Sequence, residues 1–289
     1  MTAAFNLSVR CDYPIEDYLA VKNSRDFTGK VVLVTGSNSG IGAGIVKLFS
    51  ILGASVVVTG RNASRVVSVA REVQHLSPKK LKPLEVVADL TKQSQLKHLV
   101  RATIERFGKL DVLVNNAAIM FPMTTITDDS LMRDWDLIFN TNLRAIVELI
   151  HEALPYLVKT NGTIINISSD DGVGPTPPQL AYSTAKYGLN MLTRNIALEL
   201  GSKGIRVNNV IPGGTQTENT SKLPGVLDYF ANHAPLKRVG QPLDIAKAVI
   251  FFASSDAKYI TAADLIVDGG IQYNWPAYLD GLNVTKHTN

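Results

Sequence analysis

Short, nearly unbroken apolar runs alternate along the chain with longer stretches whose apolar positions recur every three or four residues. The runs are Lys30–Thr35, Ser55–Thr59, Leu84–Ala88, Asp111–Asn115, Thr163–Ser168, Ile205–Ile211 and Asp264–Asp268, rich in valine and isoleucine. Runs without polar alternation predict strands buried on both faces, as in a parallel sheet covered by helices. The intervening stretches Gly40–Leu52, Ala63–His75, Gln93–Phe107, Leu131–Lys159, Ala181–Lys203 and Pro242–Ser254 predict helices. Strand–helix alternation carried over seven strands predicts a single α/β domain, a doubly wound parallel sheet flanked by helices. The alternation stops short of both ends. Residues 1–27 and 272–289 therefore read as N- and C-terminal arms around a domain at 28–271.

Composition adds mainly exclusions. A chain of 289 residues, 45% hydrophobic and 19% charged, has the balance of a soluble globular domain with a large core. The net charge of +4 is scattered apart from Lys79, Lys80 and Lys82, so no nucleic-acid partner is expected. No run of about 18 apolar residues predicts a membrane span. Asp12, Glu16 and Asp17 break any signal-peptide pattern, and the lone Cys11 excludes an internal disulfide. The expectation is a cytoplasmic protein with no metal site.

Glycine and proline punctuate the ends of strands at Gly36–Gly42, Gly172–Pro178 and Pro212–Gly214. In an open parallel sheet, ligands bind beyond the carboxyl ends of the strands, so these breaks should meet at one edge. The first reads TGSNSGIGAG, with Gly36, Gly40 and Gly42 following a strand and opening a helix. Such glycines let the backbone approach a pyrophosphate, and the helix start offers it N–H groups and a positive dipole end. The second strand ends VVVTGRN. Sites that prefer NAD place an acid there for the ribose 2′-hydroxyl; here Gly60 stands at that position and Arg61 follows. A guanidinium pairs well with a 2′-phosphate, and Ser37 and Asn38 would add donors, so NADP(H) is expected over NAD(H).

The spacing Gly-x-x-x-Gly-x-Gly resembles the glycine motif of the short-chain dehydrogenase/reductase family, and further motifs follow in the family's order. They are Asp89 in ADLT, Asn115–Ala118 (NNAA, against the family's NNAG), Asn142 in TNL, Tyr182 and Lys186 in YSTAK, and the Pro-Gly of NNVIPGGTQT. The likeness spans about residues 27–271 and is nearest to 3-oxoacyl-[acyl-carrier-protein] reductase-like members. It implies a single-domain Rossmann fold. It implies cofactor contacts from Gly36, Ser37, Asn38, Ser39, Gly40, Ile41, Gly42, Arg61, Asp89, Leu90, Asn116, Ala117, Pro212, Gly213 and Thr215, with Tyr182 and Lys186. It also implies a four-helix dimer interface from the two longest helices, with homotetramers common.

The chemistry of the reactive end starts from a tyrosine with an ordinary pKa near 10, a poor base but a fair acid for a forming alkoxide. Lys186, four residues on, shares its helix face and would lower that pKa while binding the nicotinamide ribose. The family's serine lies thirteen positions before the tyrosine, which selects Ser169; Ser168 would continue the strand and face the interior. Ser169 would polarise a substrate carbonyl, and by resemblance Asn142 would hold a water that links Lys186 to solvent. The expected reaction is reduction of a carbonyl to an alcohol, or its reverse. Ala118 for glycine is a small departure, and Thr215 replaces an aliphatic residue.

The substrate wall is expected from Val173–Pro178 and Gly214–Pro235, with Thr220–Ala234 as a lid. Met120, Phe121 and Met123 read either as pocket lining or as core. Asp170 and Asp171 read first as a solvated loop pair, otherwise as selectors of a polar or cationic substrate. Trp275, Pro276 and Tyr278 would close over a neighbouring subunit. The rival reading is a catalytically quiet NADP(H)-binding sensor or scaffold.

Overall fold

A computed structural model describes residues 15–274. Seven strands form one sheet: β1 (Val31–Val34), β2 (Ser55–Gly60), β3 (Leu84–Val87), β4 (Val112–Asn115), β5 (Thr163–Ile167), β6 (Arg206–Pro212) and β7 (Asp264–Val267). Their order is β3-β2-β1-β4-β5-β6-β7, and every pairing is parallel. The order reverses between β1 and β4, which opens a crevice beyond their carboxyl ends. Because side chains alternate along a strand, Val32 and Val34 of β1 enter one core layer while Val31 and Leu33 enter the other. The first layer is closed by α2 (Gly40–Ile51), α3 (Ala63–Leu76) and α9 (Pro242–Ala253). The second is closed by α4 (Gln93–Phe107), α6 (Ala145–Thr160) and α7 (Leu180–Gly201). The doubly wound α/β expectation holds.

Three details differ from the pattern-based reading. β3 and β7 are the sheet edges, so they are not buried on both faces: Glu85 and Val87 face solvent and β7 is half-buried throughout. The long helix expected over Leu131–Lys159 is broken. It runs as α5 (Leu131–Phe139), a π-helical turn at Asn140–Arg144, and α6. There the Ala145 N–H reaches back five residues to the Asn140 carbonyl. Phe27, the last residue of the expected arm, is buried with its ring edge-on to Phe49 at 5.0 Å.

Within the stretch expected as a lid, a short turn at Thr220–Lys222 precedes α8 (Val226–His233). Cys11, Trp275, Pro276 and Tyr278 lie outside the described residues. Among the described residues, no helix is long and apolar enough to cross a membrane.

Candidate active site

Beyond the carboxyl ends of β1, β2 and β4 lies an open cleft of about 550 Å³. The glycine loop forms one wall, with Gly36, Asn38, Ser39, Gly40 and Ile41; Asn116, Ala117 and Ala118 form another. Asp89 and Leu90 border the far end, beside Arg61. Thr35 ties the two walls together: its hydroxyl oxygen accepts from the N–H groups of Asn116 and Ala117, both at 2.9 Å, and its carbonyl accepts from Asn116 Nδ2 at 2.8 Å. Gly42 makes this closeness possible, since a Cβ there would lie 2.5 Å from both the Gly36 carbonyl and Asn116 Nδ2.

The donor set suits a dinucleotide. Ser39 caps α2 without a side-chain hydrogen bond, so the N–H groups of the first turn stay available to an anion. A Cβ at Gly60 would strike the Asn38 side chain at 2.2 Å, so an acid at that position would have to displace Asn38. Burial raises the Asp89 pKa, but hydrogen bonds from Thr91 and the charges of Arg61 and Lys92 outweigh it and hold the carboxyl below its ordinary range. Ser37 does not join the cleft. It is fully buried; its hydroxyl accepts from the Thr59 N–H at 2.9 Å and faces the Val57 and Thr59 carbonyls. The side chain therefore stitches the loop to β2, and the expected donor to a 2′-phosphate is lost. Gly42, Pro212, Gly213 and Thr215 also stand outside the cleft lining. Thr215 is buried and donates to the Gly213 carbonyl at 2.9 Å.

Arg65 and Glu218 were not singled out in the sequence. Arg65 lines the same cleft and bonds Glu218 at 2.7 Å, joining the first turn of α3 to the segment after β6. The available signal was the spacing Arg61–Arg65, one helical turn behind the Asn62 cap, whose side chain accepts from the Arg65 N–H. The Ala118 backbone needs no glycine: it is not among the described non-glycine residues with positive φ.

Ser169, Tyr182 and Lys186 gather at the end of β5. Lys186 is almost fully buried, with its Nζ 2.8 Å from the Ile167 carbonyl and 5.7 Å from the Tyr182 ring centroid. Burial pushes its pKa down to about 8, against the pull of Asp171. The Tyr182 phenol moves opposite to expectation. Burial drives its pKa up, as do Asp171 and Asp170, while the Ser169 hydroxyl beside it pulls it down. Ser168 is buried, its hydroxyl directed at the Lys186 carbonyl at 3.4 Å, and Ser169 caps the turn at Asp170–Gly172.

Asp170 and Asp171 are half-buried beside Ser169 and not a solvated pair; the segments after β6 and β7 pack on Asp170, where a Cβ on Gly213 would touch Asp170 Oδ2 and Asp268. Asn142, wholly buried in the π turn, clasps the backbone of one residue. Its Oδ1 accepts from Ile119 N–H at 2.9 Å and its Nδ2 donates to the Ile119 carbonyl at 2.7 Å.

A second cavity, of about 620 Å³, opens beside Asp171 at the start of α7, walled by Ile126, Val173, Pro175, Leu180 and Tyr187. Phe121 and Met123 are exposed, so neither belongs to the core.

The sequence profile of the family described as Enoyl-(Acyl carrier protein) reductase matches residues 35–272. The chain belongs to the short-chain dehydrogenase/reductase family. It is 36% identical over 250 residues to the 3-oxoacyl-[acyl-carrier-protein] reductase FabG of Thermotoga maritima, covering 84% of this chain and 98% of that protein. It is 35% identical over 250 residues to a glucose 1-dehydrogenase of Gluconobacter oxydans, covering 85% and 92%. Among solved structures, 7α-hydroxysteroid dehydrogenase complexed with NADH and 7-oxo glycochenodeoxycholic acid superposes with a TM-score of 0.80. That pair is 31% identical over 86% of this chain and 96% of the other. The short-chain dehydrogenase/reductases are oxidoreductases that interconvert alcohols and carbonyls with a nicotinamide cofactor, so this chain is an oxidoreductase of that class.

Proposed function

We propose that the protein reduces a carbonyl to an alcohol with NADP(H), using Tyr182 as proton donor, Ser169 as the carbonyl-orienting donor and Lys186 as the charged group behind them. The observation that carries this reading is the convergence of Ser169, Tyr182 and Lys186 at the end of β5, with Tyr182 in the same apolar cluster as Ile119 of the cleft wall. When bound, the cofactor supplies a hydride to the carbonyl carbon. Tyr182 gives its phenolic proton to the oxygen, and solvent restores that proton by way of the Lys186 ammonium. A phenol driven up by burial stays protonated at neutral pH, which suits the reducing direction. The apolar cavity beside Asp171 supports a substrate whose body is larger and less polar than its carbonyl. Following NADPH absorbance across ketones, aldehydes and quinones tests the reading; no oxidation with any of them would sink it.

NADP(H) preference rests on Arg61 and Arg65 at the end of the cleft and on Asn38 filling the place of an acid above Gly60. Arg61→Ala is expected to raise the NADPH KM about tenfold, the size of one charge-assisted hydrogen bond of about 1.5 kcal/mol. The NADH KM should stay unchanged, and an unaltered KM ratio would remove Arg61 from the site.

The protein is further proposed to act as a homo-oligomer. Tyr187, Met191 and Leu198 are 59%, 45% and 79% exposed, and their spacing places them on one face of α7. Leu198→Glu is expected to lower the mass seen in sedimentation; an unchanged mass would argue against that face.

A further inference from the structure

The Ser169 hydroxyl has one hydrogen and several neighbours able to take it. Its Oγ lies 3.2 Å from Asp170 Oδ1 and 3.5 Å from Asp171 Oδ2, and it accepts from the Asp171 N–H at 3.2 Å. The same N–H also reaches Asp170 Oδ1 at 3.1 Å. Among the described residues, every hydrogen bond to the Asp170 carboxyl ends on Oδ1, the oxygen that faces the serine. Oδ2 packs against the Gly213 backbone at the end of β6, where a single added methyl would come within 3.2 Å. The carboxyl is therefore held in place by the turn, by β6 and by the segment after β7.

A hydroxyl that gives its hydrogen to a carboxylate cannot give it to a substrate oxygen. An acid that keeps its own proton reverses the bond, because its O–H donates and the serine oxygen accepts. Resting on the catalytic reading above, we propose that Asp170 is a positioning residue that sets the direction of the Ser169 hydroxyl. As a neutral acid it donates to Ser169 Oγ and leaves the serine hydrogen for the substrate carbonyl. As a carboxylate it captures that hydrogen and removes the donor from the reaction.

The charged and titratable groups around Asp170 favour the neutral form. Asp171 lies beside it on the same turn, Asp268 faces it from the end of β7, and from α7 come Tyr182 and Lys186. The Lys186 ammonium is hydrogen-bonded to Ile167, and its field acts on Asp171. Burial first, then Asp171, drive the Asp170 pKa up to about 7, with Asp268 adding to the rise and the bonds from Ser169 and Asp171 N–H opposing it. Burial also raises the Asp171 pKa. Two close carboxyls of this kind titrate as a pair, and the first proton enters near neutral pH. Asp171 is the weaker competitor for Ser169, because Thr176 and Gln179 also hydrogen-bond its carboxylate.

The sign follows directly. Below about pH 7 Asp170 holds its proton and Ser169 is free to donate; as pH rises through that value the reduction rate falls. A second fall near pH 8 belongs to Lys186.

The test is the pH profile of kcat/KM for carbonyl reduction in wild type, Asp170→Asn and Asp171→Asn, with infrared difference spectra of the same proteins. In Asp170→Asn the group at 170 no longer titrates, so the fall near neutral should vanish while the fall near pH 8 remains. In Asp171→Asn the repelling charge is gone, so the first fall should move to lower pH. Wild type should show a protonated-carboxyl stretching band that bleaches near neutral pH and is missing in Asp170→Asn.

Turnover with the first fall intact in Asp170→Asn overturns the role of Asp170 and leaves the catalytic reading standing. No turnover by wild type with any carbonyl overturns the catalytic reading instead. The infrared band needs no substrate, and its absence in wild type overturns the proposal by itself.

Discussion

Tyr182→Phe is expected to lower kcat for carbonyl reduction by about a thousandfold, within the 10²–10⁴ range of a positioned general acid. The substitution removes one oxygen and leaves the ring among Ile138, Ala181, Ala185 and Trp135, so the fold should stay intact. It does not touch the glycine loop, Arg61 or Arg65, so NADPH should raise the melting temperature of the mutant as much as that of wild type. A lost kcat with preserved cofactor binding is the signature of a missing proton, not of a damaged site. The effect should be large because Tyr182 is a half-buried donor beside Ser169, and its phenol is pushed upward and so remains protonated. Lys186 sets the upper pH boundary. Its pKa falls to about 8, so its ammonium is present below that value and lost above it, and activity should decline there. Wild-type turnover in Tyr182→Phe would remove the tyrosine from the chemistry.

The strands were readable because Val31–Val34 and Val112–Asn115 are central and parallel, and burial on both faces leaves a continuous apolar signature. The edges blurred that rule: Glu85 and Val87 need satisfy only one neighbour. The π turn at Asn140–Arg144 left no trace in the hydrophobic spacing, because one inserted residue shifts the register by less than the width of an amphipathic face. Its cause is tertiary, since Asn142 reaches across to the backbone of Ile119.

The cleft lining was legible at Gly36, Asn38–Ile41 and Asn116–Ala117, where glycine and asparagine punctuate strand ends. It was misread at Ser37, whose inward rotation depends on β2 being alongside. Asp170 and Asp171 look like a loop pair in one dimension. Gly213 and Asp268, far off in sequence, are what pack on Asp170. The Arg65–Glu218 bridge spans 153 positions, a pairing that no local pattern encodes.

Asn166→Ala is expected to destabilise the protein by about 3–5 kcal/mol, since it strands two buried partners at about 1–3 kcal/mol each. Asn115, Asn166, Asn209 and Asp264 stand opposite one another in register across β4, β5, β6 and β7, a polar rung through the core of the sheet. Asn115 Nδ2 donates to Asn166 Oδ1 at 2.8 Å, and Asn166 Nδ2 donates to Thr193 Oγ1 on α7 at 2.7 Å. Thr193 in turn faces Asn209 Oδ1 at 2.7 Å, and Asn209 Nδ2 donates to Asp264.

Alanine at 166 removes the acceptor of Asn115 and the donor to Thr193 together, at a site closed to water. Asn115 already has an unpartnered Oδ1, so its amide would keep no side-chain bond. The loss should appear as a melting temperature lower by about 6–15 °C. Thr193→Val breaks the same chain one link further on, so the double mutant should cost clearly less than the sum of the singles. Strict additivity, or a single-mutant shift under about 2 °C, would show that the rung is held by packing and not by its hydrogen bonds. The rung also bears on activity, since Asn115 precedes Asn116 in the cleft wall and Asn166 sits three residues before Ser169. Loosening it should therefore raise KM for cofactor and lower kcat together, whereas Tyr182→Phe lowers kcat alone.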